Sequence, residues 1–131
     1  MKEHGHFDMK IVGQTLIVTC FDSWNIETTI RLSNEYTQLV EKINNAPWAC
    51  LVDLRQWELS TPDGWDEINK LNQWANINNQ GYEVVVCNTA LKESLMKNSH
   101  KVLTNVETFF CNDLDSAYQW LNTRGLLNTL K

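Results

Sequence analysis

Trp48-Ala49-Cys50-Leu51-Val52-Asp53-Leu54 is the stretch on which the fold turns. It is apolar at successive positions instead of alternating, so neither face of a strand built from it can be left to water. That is how the central strand of a sheet covered on both sides reads. Pro47 sets its start, because the residue ahead of a proline is pushed out of the helical region and whatever helix precedes must already have ended.

Upstream, residues 26–44 read as a long amphipathic helix. Asn25 is placed to cap it, and Glu27 puts negative charge in the first turn, where the helix dipole favours it. Leu32, Tyr36, Leu39, Val40 and Ile43 fall on one stripe at helical spacing, while Arg31, Glu35, Gln38 and Glu41 point elsewhere. Before it, residues 6–12 and 15–21 are β-patterned, and Gly13-Gln14 between them is a two-residue hairpin signal. The second of these runs carries apolar residues on both faces.

Downstream, residues 56–60 read as a loop into a helix that runs to Ile77. Thr61 stands at the cap, Pro62 at the first helical position and Asp63 in the first turn. Gly64, Ile68, Leu71 and Ala75 form the inward stripe, with Trp65 and Trp74 flanking it. Asn78-Asn79-Gln80-Gly81 breaks the chain before a Val-rich strand at 82–87. A third helix is expected at 91–103 with Leu91, Leu95, Ser99 and Val102 on one side, then a short strand at 106–110. A last helix at 113–123 turns Leu114, Ala117, Tyr118 and Leu121 inward, and Arg124-Gly125 stops it.

The order is ββαβαβαβα. Strands separated by helices pair in parallel through right-handed crossovers, and the opening hairpin adds an antiparallel edge. The expected fold is therefore α/β: a single mixed, mostly parallel sheet with a β-hairpin start and helices packed outside. No linker or repeat divides it, so residues 1–131 read as one domain. The strand at 106–110 reads as a sheet edge, and pairing of such edges would make a homodimer.

Composition narrows the function. With 131 residues, 43% of them hydrophobic, the chain can bury a core. A net charge of −5 and a pI near 5.1 leave no basic stripe for nucleic acid or anionic lipid. No apolar run is long enough for a transmembrane segment, and residues 1–6 lack the apolar region of a secretory signal. Cys20, Cys50, Cys87 and Cys111 are far apart and each adjoins an apolar run. They read as buried reduced thiols of a cytoplasmic chain, with a redox or metal role as the alternative.

Candidate chemistry is sparse. His4 and His6 have no third ligand nearby, since His100 is far along the chain, so no metal site is expected. Asp53 closes a buried strand, where α/β sheets often place functional groups. Its simpler reading is a carboxylate paired with Arg55 or accepting N–H groups of the next loop. No P-loop, G-x-G-x-x-G or G-x-S-x-G occurs, so no cofactor and no catalytic residue are assigned. Ser60 and Thr61 stand where a helix begins. A phosphate there would meet free N–H donors and the helix dipole, but a threonine there is also an ordinary cap. Trp57 and Trp65 flank the core stripe and do not all fit beneath it. They suit a ligand pocket or partner surface as well as a core.

Four segments together resemble the bacterial SpoIIAA-like proteins. These are His4-Gly5-x-Phe7, Trp24-Asn25-x-Glu27, Ala117-x-x-Trp120-Leu121 and, as the specific part, Pro47-Trp48-Ala49-x-Leu51-x-Asp53-Leu54-Arg55-x-Trp57-Glu58-Leu59-x-Thr61-Pro62. That family belongs to the STAS-like group, and its fold is similar to the CRAL-TRIO lipid-carrier domains. The resemblance implies a sheet flanked by helices and brings no activity of its own. Anti-sigma-factor antagonists of the group carry a phosphorylatable Ser in an Asp-Ser-x-Gly context at the helix start. Here Asp53 is followed by Leu-Arg-Gln-Trp-Glu-Leu, so that switch does not transfer residue by residue.

Two functions are thereby expected. The first is a regulatory protein-binding module without catalysis, docking a partner through residues 57–74. The second is a carrier of a small apolar or lipid-like ligand, with transient membrane contact, under a helix lid. Trp57, Trp65, Ile68, Leu71 and Trp74 form the expected ligand or partner surface. Ser60 and Thr61 are the expected phospho-acceptors.

Overall fold

When each parallel strand is laid down beside the one before it, right-handed crossovers place every connecting helix on the same face of the sheet. The computed structural model, which describes residues 5–128, shows this arrangement. β1 (His6–Val12) and β2 (Thr15–Trp24) form the antiparallel hairpin, and β3 (Trp48–Ser60), β4 (Gln80–Val86) and β5 (Glu107–Cys111) follow in parallel. The sheet order is β1-β2-β3-β4-β5, with β5 an edge as expected. α1 (Ile26–Val40), α2 (Pro62–Ile77) and α3 (Ala90–Ser99), which continues into a 3-10 turn at His100–Val102, line up on one face. α4 (Leu114–Thr123) follows the last strand, needs no crossover, and packs across β3, β4 and β5 on the other face.

β3 feeds both cores. Trp48, Cys50 and Leu54 turn toward α1, α2 and α3, while Ala49 and Leu51 turn toward α4. Trp48, Ala49, Cys50 and Leu51 are fully buried. Burying one leucine in this way stabilises by about 1.5–3 kcal/mol.

The expected element order holds, with differences in extent. The segment 56–60 is not a loop: β3 runs to Ser60 and β2 to Trp24, paired across two register shifts. Asp22 and Leu59 take positive φ (61° and 115°) at these irregularities, so the paired ends bend into a β-arm. α1 ends at Val40, not at 44. Lys42 N–H and Ile43 N–H instead donate to the carbonyls three residues back, tightening the exit into a turn. The third helix stops at Ser99, and its Leu91 is 58% exposed instead of inward. Met96 and Ser99 are the buried positions of this helix, and Lys92 in its first turn reaches back to donate to Leu54 O of β3 at 3.0 Å.

Gly13 takes φ 61° in the β1–β2 turn, and a Cβ there would fall 2.6 Å from the backbone of Leu127. The turn and the close return of the C-terminal segment both require glycine. Thr15 Oγ1 and Gln14 N–H fasten the same return by donating to Leu126 O, at 2.8 and 3.0 Å. Gly13→Ala should cost about 2 kcal/mol in urea denaturation, with the m-value unchanged.

Candidate functional site

The β-arm decides where the tryptophans go. Extension of β3 carries Trp57 inward, onto Trp24 from the end of β2. Phe7, Trp24, Trp57 and Trp65 then meet edge to face in sequence, with ring centroids 6.0, 5.7 and 5.7 Å apart. Trp57 is only 2% exposed and packs into the core. Trp65 and Trp74 are half-buried at the margin of the same core.

Beneath α1 and α2 this core lines a partly open cavity of about 60 Å³. Its wall includes Trp57, Ile68 and Leu71 of the expected site, but neither Trp65 nor Trp74. Ala75, of the same inward stripe, is fully buried elsewhere in the core. The volume is about twice the share of liquid that one water molecule takes. A few heavy atoms fit; a whole acyl chain requires α2 to move.

Most polar groups of the residues on this wall are held by neighbours. Tyr36 shares a hydrogen bond with Cys50, and Asn72 Nδ2 donates to Ser99 O at 3.2 Å. Burial pushes the Cys50 and Cys20 thiols up, so both stay protonated. They are packing groups and not nucleophiles. None of the four cysteines is in a disulfide; Cys20, Cys50 and Cys87 are buried and Cys111 is partly so.

Sequence reading missed Glu83. It lies on β4, is 2% exposed, and faces the cavity. Gln80 Nε2 donates to its Oε1 at 3.0 Å, and its Oε2 contacts His100 Nε2 from the 3-10 turn. Burial alone would lower the His100 pKa, but the charge and hydrogen bond of Glu83 together outweigh that and raise it. The available signal was a lone Glu inside Gln80-Gly81-Tyr82-Glu83-Val84-Val85-Val86, an acid on the inward register of a buried strand that needs a cation.

At the start of α2 the two hydroxyls part company. Ser60 Oγ is buried without a hydrogen-bond partner, and a Cβ on Gly64 would lie 2.0 Å from it. Gly64 also lets the first turn of α2 approach Thr29 of α1, whose Oγ1 is 3.2 Å from that Cβ position. Thr61 is exposed at the cap position, but its hydroxyl donates to Asp63 Oδ1 and caps no backbone N–H. Asp63 itself accepts from Gly64 N–H at 3.0 Å.

Asp53 takes the simpler of its two readings. It accepts from Arg55 N–H at 3.1 Å, from Nε at 3.0 Å and from Nη2 at 2.9 Å. The Arg55 pKa is raised, chiefly by that hydrogen bonding. Among the described residues no three His, Cys, Asp or Glu cluster as a metal site requires, and His4 lies outside them. No helix of the described residues is long and apolar enough to cross a membrane.

No protein-family model matches the chain, and no curated protein matches it. Solved structures do. An uncharacterized DUF3478-family protein with a SpoIIAA-like fold from Shewanella loihica PV-4 superposes with TM-score 0.72 at 13% identity, covering 92% of this chain and 96% of that one. The anti-sigma factor antagonist SpoIIAA in its unphosphorylated form gives 0.67 at 5% identity, with 89% and 98% covered. An anti-sigma factor antagonist from Mycobacterium paratuberculosis gives 0.61 at 12% identity, with 91% and 95% covered. The fold is SpoIIAA-like.

The buried pair generates a pH prediction. A histidine whose folded pKa is raised stabilises fully below its unfolded value of 6.5 and loses that contribution as pH climbs through the folded value. Urea unfolding should therefore show wild type losing stability upward from about pH 6.5, with the loss flattened in Glu83→Gln. His100→Ala, which leaves the carboxylate without its cation, should cost about 3 kcal/mol near pH 6.

Proposed function

We propose that the chain is a cytoplasmic regulatory module that binds another protein and performs no catalysis. Its docking surface is the end of β3 and the first turns of α2. The observation that carries this reading is the exposed helix start at 61–63 beside half-buried Trp65, built on the frame that the two anti-sigma factor antagonists share. Glu58, Asp63 and Asp66 are exposed around it, so the surface is acidic with an aromatic centre. A partner with a basic rim and an apolar contact for Trp65 fits that pattern.

Phosphate would act on this surface by charge. Thr61 is the reachable acceptor of the two, because the Ser60 hydroxyl is packed behind Gly64. A phosphate on Thr61 would stand at the N-terminus of α2, favoured by the dipole but beside Asp63. It would deepen the negative field that the partner meets.

Protein purified from its native cytosol should bring down one stoichiometric partner, with phosphate on Thr61 by mass spectrometry. Trp65→Ala and Asp63→Lys should each weaken that complex about tenfold. A clean protein carrying neither partner nor phosphate would count heavily against the reading.

A second reading, carriage of a small apolar ligand, is favoured by the cavity beneath α2. Native mass spectrometry should then show a small organic species on wild type, and Leu71→Trp, which fills the space, should lose it. No bound species on freshly isolated wild type would sink this reading.

A further inference from the structure

We infer that the outer edge of β1 pairs with the same edge of a second copy of this chain. The two strands run antiparallel about a two-fold axis through Met9 and join two sheets into one across a homodimer. The inference stands apart from both readings above.

The two edges of the sheet differ. β5 is five residues long, its Glu107 is taken by Arg124 at 2.7 Å, and Lys97 lies over its Phe110. β1 is seven residues long, holds neither proline nor glycine, and pairs with β2 without a register shift. Among the described residues no strand pairs with its outer side. Short strands, bulges and prolines are the usual devices that keep a sheet edge from pairing, and β1 uses none of them.

Opposed residues of an antiparallel ladder alternate between hydrogen-bonded and non-hydrogen-bonded pairs. The pair that closes a two-residue hairpin loop is of the bonded kind, and here it is Val12 with Thr15. His6, Asp8 and Lys10 therefore spend their backbone groups on β2, while Phe7, Met9 and Ile11 direct theirs outward. Met9 is the midpoint of the strand. An axis through it lets Met9 exchange both bonds with Met9 of the second copy, and Phe7 and Ile11 exchange theirs crosswise.

The side chains select the same register. Asp8 and Lys10 are exposed along a shallow groove with Ile17 and Thr19, on the sheet face where α4 covers β3, β4 and β5. With the axis through Met9, Asp8 stands directly opposite Lys10 of the second copy, and Lys10 opposite its Asp8. Both pairs fall at non-hydrogen-bonded positions, where side chains come closest. On the other face Phe7 meets Ile11, an aromatic against a β-branched chain, beside the half-buried Met9. An axis through Asp8 or Lys10 would oppose like charges, and one through Phe7 or Ile11 would leave much of the strand unpaired. A lysine on an edge ordinarily repels an incoming strand. In this register it is matched, and a second copy supplies the match by symmetry. Within one chain Asp8 Oδ1 contacts the ring of His6 at 3.2 Å, yet its side chain is 69% exposed and open to Lys10 of the copy.

Sedimentation velocity from micromolar to millimolar protein should show a monomer–dimer equilibrium. Hydrogen exchange over the same series should slow at the amides of Phe7, Met9 and Ile11 and stay constant in β5. Asp8→Lys and Lys10→Asp each oppose like charges twice across the axis, and each should weaken the dimer about tenfold. The double variant, Asp8→Lys with Lys10→Asp, restores opposite charges in reversed order and should return to within about threefold of wild type. A protein that is monomeric throughout overturns the inference, as does a dimer whose added protection falls on residues 107–111. A double variant as weak as the single ones overturns the pairing of Asp8 with Lys10. The wild-type exchange pattern decides the matter even if a variant does not fold.

Discussion

Everything in this fold is arranged around a strand that water cannot be allowed to reach from either side. β3 is fully buried at Trp48, Ala49, Cys50 and Leu51, so the chain must supply two covers. Sequential strand order makes α1, α2 and α3 share one cover, and α4 with the C-terminal segment supplies the other. The close return of that segment onto Gly13 is a consequence: without it Ile17 and Ala49 would lose the apolar neighbour Leu126.

The two covers are not equivalent. On the α4 side, packing is made by Val84, Val86, Ala117 and Leu121, and the polar end of β3 is closed by the Asp53–Arg55 pair. On the α2 side the strand continues as the arm, and the aromatic ladder from Phe7 to Trp65 fills the space beneath. There the protein also keeps its cavity and its buried acid. α2 is tied down at its far end by Trp48 Nε1 donating to Asn78 O at 2.7 Å and midway by Asn72 on Ser99. Its first turn packs through buried Gly64, close to Ser60 and to Thr29 of α1, and through Trp65 on Trp57. The acidic, aromatic surface and the cavity thus meet at one helix, and a ligand that shifts α2 would alter the surface a partner sees.

Much of the fold could be read from residue pattern alone. The nearly continuous apolar run at 48–54, the Gly13-Gln14 turn and the Thr61-Pro62-Asp63 helix start each have one dominant physical meaning, and the strand, hairpin and helix they announce are present. The β-arm was missed because Gln56 and Glu58 look like loop residues, although Arg55-Gln56-Trp57-Glu58-Leu59 alternates as a strand should. Ends of helices were misplaced by a few residues where 3-10 turns took over at 41–43 and 100–102. The site was half legible. Ile68 and Leu71, named from helical spacing, and Trp57, named as a large aromatic in an expected loop, all line the cavity. Glu83 and His100 were not linked, because their partnership is made between β4 and a turn far along the chain, and no local pattern carries such a contact.

β3 is the fixed centre of this fold, and α2 is the element on which a bound ligand or partner would act. Native-state hydrogen exchange tests that division most directly. Amides of residues 49–54 in β3 should exchange only through global unfolding, at the full unfolding free energy. Amides of residues 66–71 in α2 should open at a distinctly lower free energy, with a denaturant dependence too small for global unfolding. Protection of α2 equal to that of β3 would contradict the account, since a helix that opens only with the whole molecule can neither admit a ligand nor reshape the surface at 61–65.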